Sequence, residues 1–149
     1  MSESPKDQFT ALIAKGGKVN EADVEAIFNE LPAAPIDLIH GDWKGAGFDT
    51  SHPCWPELLE MNWFGKTFHS TENIDPVIVL KDGKPVKDES WGHAILREVR
   101  FRGIVSAAMI YDNHRIIDHF RYVNDNLIAG AMETTKFGDG GMFYFYLYK

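Results

Sequence analysis

The chain has 149 residues, a hydrophobic content of 44%, a charged content of 25% and a formal net charge of −7. These values are typical of one globular domain spanning 1–149 and exclude a disordered chain, and the negative charge disfavours nucleic-acid binding, which usually requires a basic surface. The single cysteine excludes an intramolecular disulfide, and neither a membrane span nor a secretory signal is present, so we expect a cytoplasmic protein with no membrane partner.

Residues 1–32 predict two amphipathic helices. The first carries apolar residues on one face and ends at Gly16 and Gly17. The second begins after Asn20, a good N-cap residue, and repeats apolar residues at helical spacing: Val24, Ile27, Phe28 and Leu31. Pro32 ends this helix, and we expect the pair to pack on the rest of the domain or to plug it.

Residues 36–149 predict a mainly β structure. Strands are predicted at 36–44, 63–69, 76–80, 92–98, within 99–111 with a break near Gly103, at 115–123, 127–133 and 142–148, with a loop at 45–53 and a short helix at 55–61. About eight short strands joined by tight turns favour a single antiparallel barrel, because closure removes exposed strand edges. An eight-stranded barrel has just enough interior for one small ligand.

The predicted first strand contains the motif Gly41-Asp42-Trp43-Lys44-Gly45. In one interpretation the glycines allow close packing and Trp43 fills one end of the barrel. In the other, Trp43 forms the wall of a pocket. Strand alternation puts Trp43 on the same face as Ile39, and this apolar face is the expected interior.

This motif resembles the signature of the GXWXG-domain family. The resemblance continues in His52-Pro53, in Trp63-Phe64-Gly65-Lys66-Thr67-Phe68, in Met109 to Asp112, in Ile117 to Arg121 and in Phe143 to Leu147, which are similar to that family and to the C-terminal domain of unknown function that usually follows it. Arg115 and Lys149 depart from the family pattern. The resemblance implies a lipocalin-like (calycin-like) barrel and no established activity.

Asp118 is the main candidate for chemistry. It alternates with Ile116 and Phe120 on an apolar strand face, whereas His119 and Arg121 lie on the opposite face. A carboxylate among apolar neighbours needs a partner, or its pKa rises. Asp118 is therefore either an ion-paired brace, a general acid or base in a pocket, or a solvated side chain.

Lys66 is interpreted as a cation at the barrel mouth, a holder of a substrate carboxylate or the partner of Asp118. It is expected to share a strand face with Phe64 and Phe68. The candidate catalytic set is Asp118, Lys66, His119, Tyr111 and Arg121, and the candidate ligand-binding set is Trp43, Trp63, Phe68, Met109, Phe120 and His40.

The spacing of the six histidines predicts no metal site, although His119 or His40 offers an axial ligand if the barrel binds haem. No nucleophile motif or phosphate-binding loop is present, so no cofactor is expected.

These features predict binding of a small apolar molecule and cofactor-free isomerisation, cyclisation or dehydration of it. The alternative is a carrier that only binds the molecule. The last strand is apolar on both faces, which suggests a homodimer through one of them.

Overall fold

The computed structural model describes residues 3–138 and 140–149, and in these the fold is mainly β with helices near the N-terminus. Helices α1, α2 and α3 cover Pro5–Lys15, Glu21–Glu30 and Cys54–Glu60, and two short 3-10 helices cover Ile36–Leu38 and Glu89–Trp91. The strands are β1 (Gly41–Gly47), β2 (Trp63–Ser70), β3 (Asn73–Lys81), β4 (Lys84–Lys87), β5 (Ala94–Phe101), β6 (Ile104–Tyr111), β7 (Ile116–Asn124), β8 (Leu127–Thr134) and β9 (Phe143–Tyr148).

Local side-chain chemistry starts the two N-terminal helices. The Ser4 hydroxyl accepts a hydrogen bond from the Asp7 amide at 3.1 Å, and the Asn20 side chain accepts one from the Ala22 amide at 2.9 Å. Each bond satisfies an amide that has no partner within its helix. Both predicted helices are thereby confirmed. No helix in residues 3–138 and 140–149 is long and apolar enough to cross a membrane.

Eight antiparallel strands form a closed barrel, as predicted. Their order is β2-β1-β9-β8-β7-β6-β5-β3, and pairing of β2 with β3 closes the ring. The ninth strand, β4, pairs only with β3 and lies outside the closed ring. Antiparallel strands alternate their side chains between the two faces of the sheet, so each strand contributes to the interior and to the outer surface.

The apolar residues form two clusters, one on each side of the sheet. The first fills the barrel and includes Trp43, Phe68, Met109 and Phe120. The second lies between the N-terminal helices and the outer face of the sheet, where Phe9 and Phe28 contact β7–β9. The helices therefore pack on the outside of the barrel and do not plug it.

The predicted first strand at 36–44 is wrong at both ends. Its first residues form a 3-10 turn in which the Ile39 amide donates to the Ile36 carbonyl at 2.9 Å. The strand begins at Gly41, whose φ of 80° redirects the backbone, and it continues through Gly47 into the predicted loop. A side chain at Gly45 would collide with the Trp63 ring, so glycine permits close packing inside the strand.

The region around β3 also differs from prediction. β3 begins at Asn73 instead of residue 76 and includes Pro76 next to an irregularity in its pairing with β2. β4 was not predicted, because all four of its residues are exposed and show no apolar alternation. Lysine and proline are typical of such edge strands, where they discourage pairing with other chains.

The outer face of β9 is covered within the chain. Tyr144 is buried against Phe28, and Tyr146 packs against Phe9 and Phe48. Tyr148 remains 38% exposed. The N-terminal helices thus cover most of the apolar surface that motivated the homodimer, which remains a prediction.

Candidate functional site

Three polar side chains meet inside the apolar barrel. Asp118 projects inward from β7 between Ile116 and Phe120, as its alternation predicts, and it is 1% exposed. Lys66 of β2 and Tyr111 at the end of β6 are 4% and 5% exposed. The neighbouring strands place Met109 and Met132 directly opposite Asp118, so apolar side chains flank it along the sheet.

Lys66 is the centre of the hydrogen bonding in this cluster. Its Nζ lies 3.2 Å from Asp118 Oδ2, 3.2 Å from the Tyr111 hydroxyl oxygen and 3.1 Å from the Pro76 carbonyl oxygen. The three ammonium hydrogens therefore each have an acceptor. The Tyr111 hydroxyl lies 3.5 Å from Asp118 Oδ2, which is longer than an ordinary O–H···O hydrogen bond, so this contact is weak.

A bulge in β2 brings Trp63 to the same side as Lys66. Trp63 pairs with Val79 and Gly65 pairs with Ile78, so Phe64 is an extra residue that reverses the alternation. Phe64 lines the groove between β1, β2 and β4, which Lys66 also borders. The Lys66 ammonium lies 5.4 Å from the Trp63 ring centroid and 5.5 Å from that of Phe145, within the range of cation–π attraction.

Asp118 Oδ1 has no hydrogen-bond partner in the part of the chain that the structure describes. The carboxylate borders an internal cavity of about 10 Å³, which is close to the smallest space that holds one water molecule. The cavity is lined by Leu58, Trp63, Lys66, Val77, Trp91, Tyr111, Asp118, Met132, Phe143 and Phe145. The barrel interior is thus almost filled by side chains, with its open space beside the polar cluster.

Burial sets the electrostatics of the cluster. Burial raises the pKa of Asp118, and the charge and hydrogen bond of Lys66 oppose that rise. Burial and then the Asp118 charge keep the pKa of Tyr111 well above its ordinary value, so the phenol stays protonated. Burial also raises the pKa of the Cys54 thiol to about 12, which leaves it without nucleophilic thiolate at neutral pH.

Helical segments, rather than strands, cover the barrel beside the cavity. Leu58 comes from α3, and Trp91 comes from the 3-10 helix Glu89–Trp91. The Trp91 ring packs 6.2 Å from the Tyr111 ring and 6.5 Å from the Phe137 ring, measured between centroids. These residues cover one side of the polar cluster.

His119 and Arg121 lie on the other side of the sheet. The His119 ring stacks on Phe101 with a centroid distance of 3.7 Å, and its Nε2 lies 2.9 Å from Glu133 Oε1. Arg121 donates hydrogen bonds to the Leu31 carbonyl at 3.1 Å and the Phe101 carbonyl at 2.9 Å. Arg121 therefore anchors the end of α2, and the structure brings neither residue to Asp118.

The predicted ligand-binding residues are divided in the same way. Trp63 lines the cavity, whereas Trp43, Phe68, Met109 and Phe120 are packed elsewhere in the barrel interior. His40 is exposed, and its carbonyl accepts hydrogen bonds from the Trp43 indole and the Lys149 ammonium, each at 3.1 Å. Neither histidine offered as an axial haem ligand faces the interior.

Six lining residues were not predicted. For three of them, Met132, Phe143 and Phe145, side-chain alternation along β8 and β9 indicates an inward orientation once the barrel is assumed. No comparable signal exists for Leu58 and Trp91, because they lie in helical segments that pack across strands distant in sequence. Within the described ranges, no group of three or more His, Cys, Asp or Glu side chains is arranged to hold a metal ion.

A larger groove of about 660 Å³ lies between β1, β2 and β4, and it shares Lys66 with the lining of the internal cavity. Its polar side chains largely pair with one another: Thr67 donates to Asp42 at 2.8 Å, and His69 lies 2.9 Å from Asp75. These groups remain accessible to water, so the groove does not combine burial with an unpaired polar atom as the interior does.

Comparison with known proteins gives three findings. Residues 26–83 match the family model described as GXWXG protein, and residues 92–149 match the domain of unknown function DUF4334. A crystal structure described only as a protein from Thermomonospora curvata is 39% identical, with a TM-score of 0.91 over 99% of each chain. No curated protein matches the sequence.

Proposed function

The chain belongs to the GXWXG family and carries its DUF4334 segment, and from this premise we propose that the barrel interior binds a small, largely apolar molecule and transfers a proton on it. Asp118 is the proposed acid–base group. The observation that carries the proposal is a buried carboxylate beside the internal cavity, one oxygen of which has no hydrogen-bond partner among residues 3–138 and 140–149. Buried polar atoms without partners are rare in folded proteins and often mark functional sites.

The Lys66–Asp118 pair supports a functional interpretation on energetic grounds. Removing two charges from water costs several kcal/mol per ion, and apolar side chains of similar volume often stabilise a fold equally well. A buried pair is therefore an inefficient brace. The same pair is a suitable way to hold an ionised carboxylate inside an apolar site.

Binding requires the cover of the cavity to move. A space of about 10 Å³ admits one water molecule, whereas pockets for drug-sized ligands are about 300–1,000 Å³. The proposed entrance is the end covered by α3 and the segment Glu89–Trp91, because these elements contribute side chains to the cavity but no strand to the ring. Outward movement of Leu58 and Trp91 extends the cavity without breaking the barrel.

The proposed chemistry needs only the groups present. In an isomerisation, Asp118 Oδ1 takes the proton of a hydroxyl group next to a C=C bond, the O–H electron pair forms a C=O bond, and the electron pair of the C=C bond takes up the proton at its far carbon. Lys66 holds the carboxylate through Oδ2, and Tyr111 adds a neutral hydroxyl beside it. Cyclisation and dehydration use the same kind of proton transfer and also require no redox partner.

A carrier without catalysis is the second candidate. The observation that favours it is that all three ammonium hydrogens of Lys66 are directed at protein acceptors. Lys66 then serves only to hold Asp118, and Asp118 only anchors the ligand.

The test is turnover of the small molecule extracted from the purified protein. We expect D118N to lower the rate by about 10²–10⁴-fold, the usual effect of losing a general acid or base, with binding largely kept. Matched controls are D75N and K44M, which change an aspartate and a lysine on the outer surface and are expected to retain the parent rate. Equal turnover by D118N and parent contradicts the catalytic role, and binding without turnover by any protein favours the carrier.

A further inference from the structure

The polar atoms around the cavity indicate what kind of group a ligand presents there. Three buried side-chain atoms lack a partner in the described part of the chain: Thr50 Oγ1, Glu57 Oε2 and Asp118 Oδ1. Of these residues, only Asp118 lines the cavity. A ligand that enters therefore meets one polar atom that lacks a hydrogen-bond partner, and this atom is a carboxylate oxygen.

The other polar groups of the interior are already engaged. Lys66 donates three hydrogen bonds, and the Tyr111 hydroxyl lies between Lys66 and Asp118 Oδ2. The Trp63 indole donates to the Gly65 carbonyl at 2.9 Å. Lys66 and Trp63 have no hydrogen free to donate to a ligand in this arrangement, and the nearest acceptor of the Tyr111 hydrogen is Asp118 Oδ2 at 3.5 Å.

Both donors that contact the carboxylate do so at Oδ2, which leaves Oδ1 as an acceptor. The Lys66 ammonium 3.2 Å from Oδ2 favours the ionised form of Asp118, and an ionised carboxylate accepts hydrogen bonds and donates none. A purely apolar ligand removes water from Oδ1 and leaves this oxygen without a hydrogen bond. A ligand hydroxyl or amine instead donates a charge-assisted hydrogen bond to Oδ1.

We propose that the ligand is an apolar alcohol, phenol or amine whose O–H or N–H donates to Asp118 Oδ1. This inference rests on the proposed function and specifies the substrate class of the same site. The aromatic rings of Trp63, Trp91, Phe143 and Phe145 contact the apolar part of the ligand. Ketones, ethers and hydrocarbons of equal size are disfavoured, because none of them supplies a donor.

Binding of phenol, toluene and anisole provides the test. Phenol and toluene have nearly the same shape and differ in a hydroxyl and a methyl group, whereas anisole retains the oxygen without its hydrogen. Ligand-observed NMR titration of the full chain is expected to give at least about tenfold tighter binding of phenol than of toluene or anisole. In the K66M/D118L double variant, whose interior is apolar, this preference is expected to disappear while toluene still binds.

The outcomes separate the two proposals. Equal binding of the three probes to the parent, or tighter binding of anisole, overturns the inference about the donor and leaves an apolar binding site. A phenol preference that persists in K66M/D118L also overturns the inference, because it places the hydroxyl away from Asp118. Absence of binding by every probe contradicts the proposed function itself. D75N serves as the matched control and is expected to keep the parent preference.

Discussion

The interior ion pair has opposite consequences when one partner or both partners are removed. In K66M, the Asp118 carboxylate stays in the apolar barrel without its cation, and we expect a loss of about 3–5 kcal/mol in the free energy of unfolding. In K66M/D118L, no charge remains buried, and the stability is expected to lie within about 1 kcal/mol of the parent or above it. Urea unfolding of the parent, K66M and K66M/D118L measures these free energies. A double variant as unstable as K66M contradicts the expected recovery of stability.

His119 is expected to make stability depend on pH. Burial lowers its pKa from 6.5, against the opposing effect of Glu133. The His119 imidazole therefore binds a proton more readily in the unfolded chain than in the folded chain. The contribution of His119 to stability is present above pH 6.5 and decreases as the pH falls from 6.5 through the lowered pKa of the folded state. Phenylalanine retains the stacking on Phe101 without a titrating group.

The measurement is the thermal midpoint at about pH 7.5 and about pH 5. We expect the midpoint of H119F to fall less than that of the parent over this interval. The variant H40F, at an exposed histidine, is the control and is expected to follow the parent. An acid-induced loss in H119F as large as in the parent assigns the pH dependence to other groups.

At the scale of elements, glycine determines how closely β1 and β2 approach. A Cβ atom at Gly65 would lie 1.9 Å from the Trp43 carbonyl oxygen, a backbone atom that cannot move without separating the two strands. G65A is therefore expected to lower the free energy of unfolding by at least about 3 kcal/mol, in the range seen for severe overpacking. Gly83 has open space around its Cβ position and only a φ of 76° to oppose substitution, so G83A is expected to cost about 1–2 kcal/mol.

Chemical unfolding of the two glycine variants distinguishes steric contact from backbone conformation. Equal destabilisation of G65A and G83A would show that close approach of the strands has little importance. A native-like G65A would show that β1 and β2 move apart easily, contrary to the close contact between Gly65 and the Trp43 carbonyl.

Periodicity predicted the faces of some strands and failed on others for identifiable reasons. On β7, regular pairing preserves alternation, so Asp118 was correctly placed with Ile116 and Phe120 and apart from His119. On β2, the bulge at Phe64 reverses the alternation, and no local signal marks it. β4 was missed for another reason: all four of its residues are exposed, so the strand has no buried face that apolar alternation would reveal.

At the scale of the whole molecule, the site depends on contacts between distant parts of the chain. Strands from both matched segments, 26–83 and 92–149, belong to one sheet, and Lys66 from the first segment meets Asp118 from the second. The sequence was sufficient to predict the barrel, because the strand count and turn spacing specify it. It was not sufficient to predict the cavity or the unpaired oxygen, because these depend on how α3 and Trp91 pack across the barrel.

We propose that the barrel interior holds a small molecule at Asp118. Native mass spectrometry of protein purified from its source organism tests this most directly, with K66M/D118L prepared in parallel. We predict a parent mass above the 16.9 kDa of the chain by one small molecule, loss of this difference on denaturation, and lower occupancy in the double variant. A parent that has the mass of the bare chain under native conditions, or an adduct equally abundant in K66M/D118L, would contradict the account.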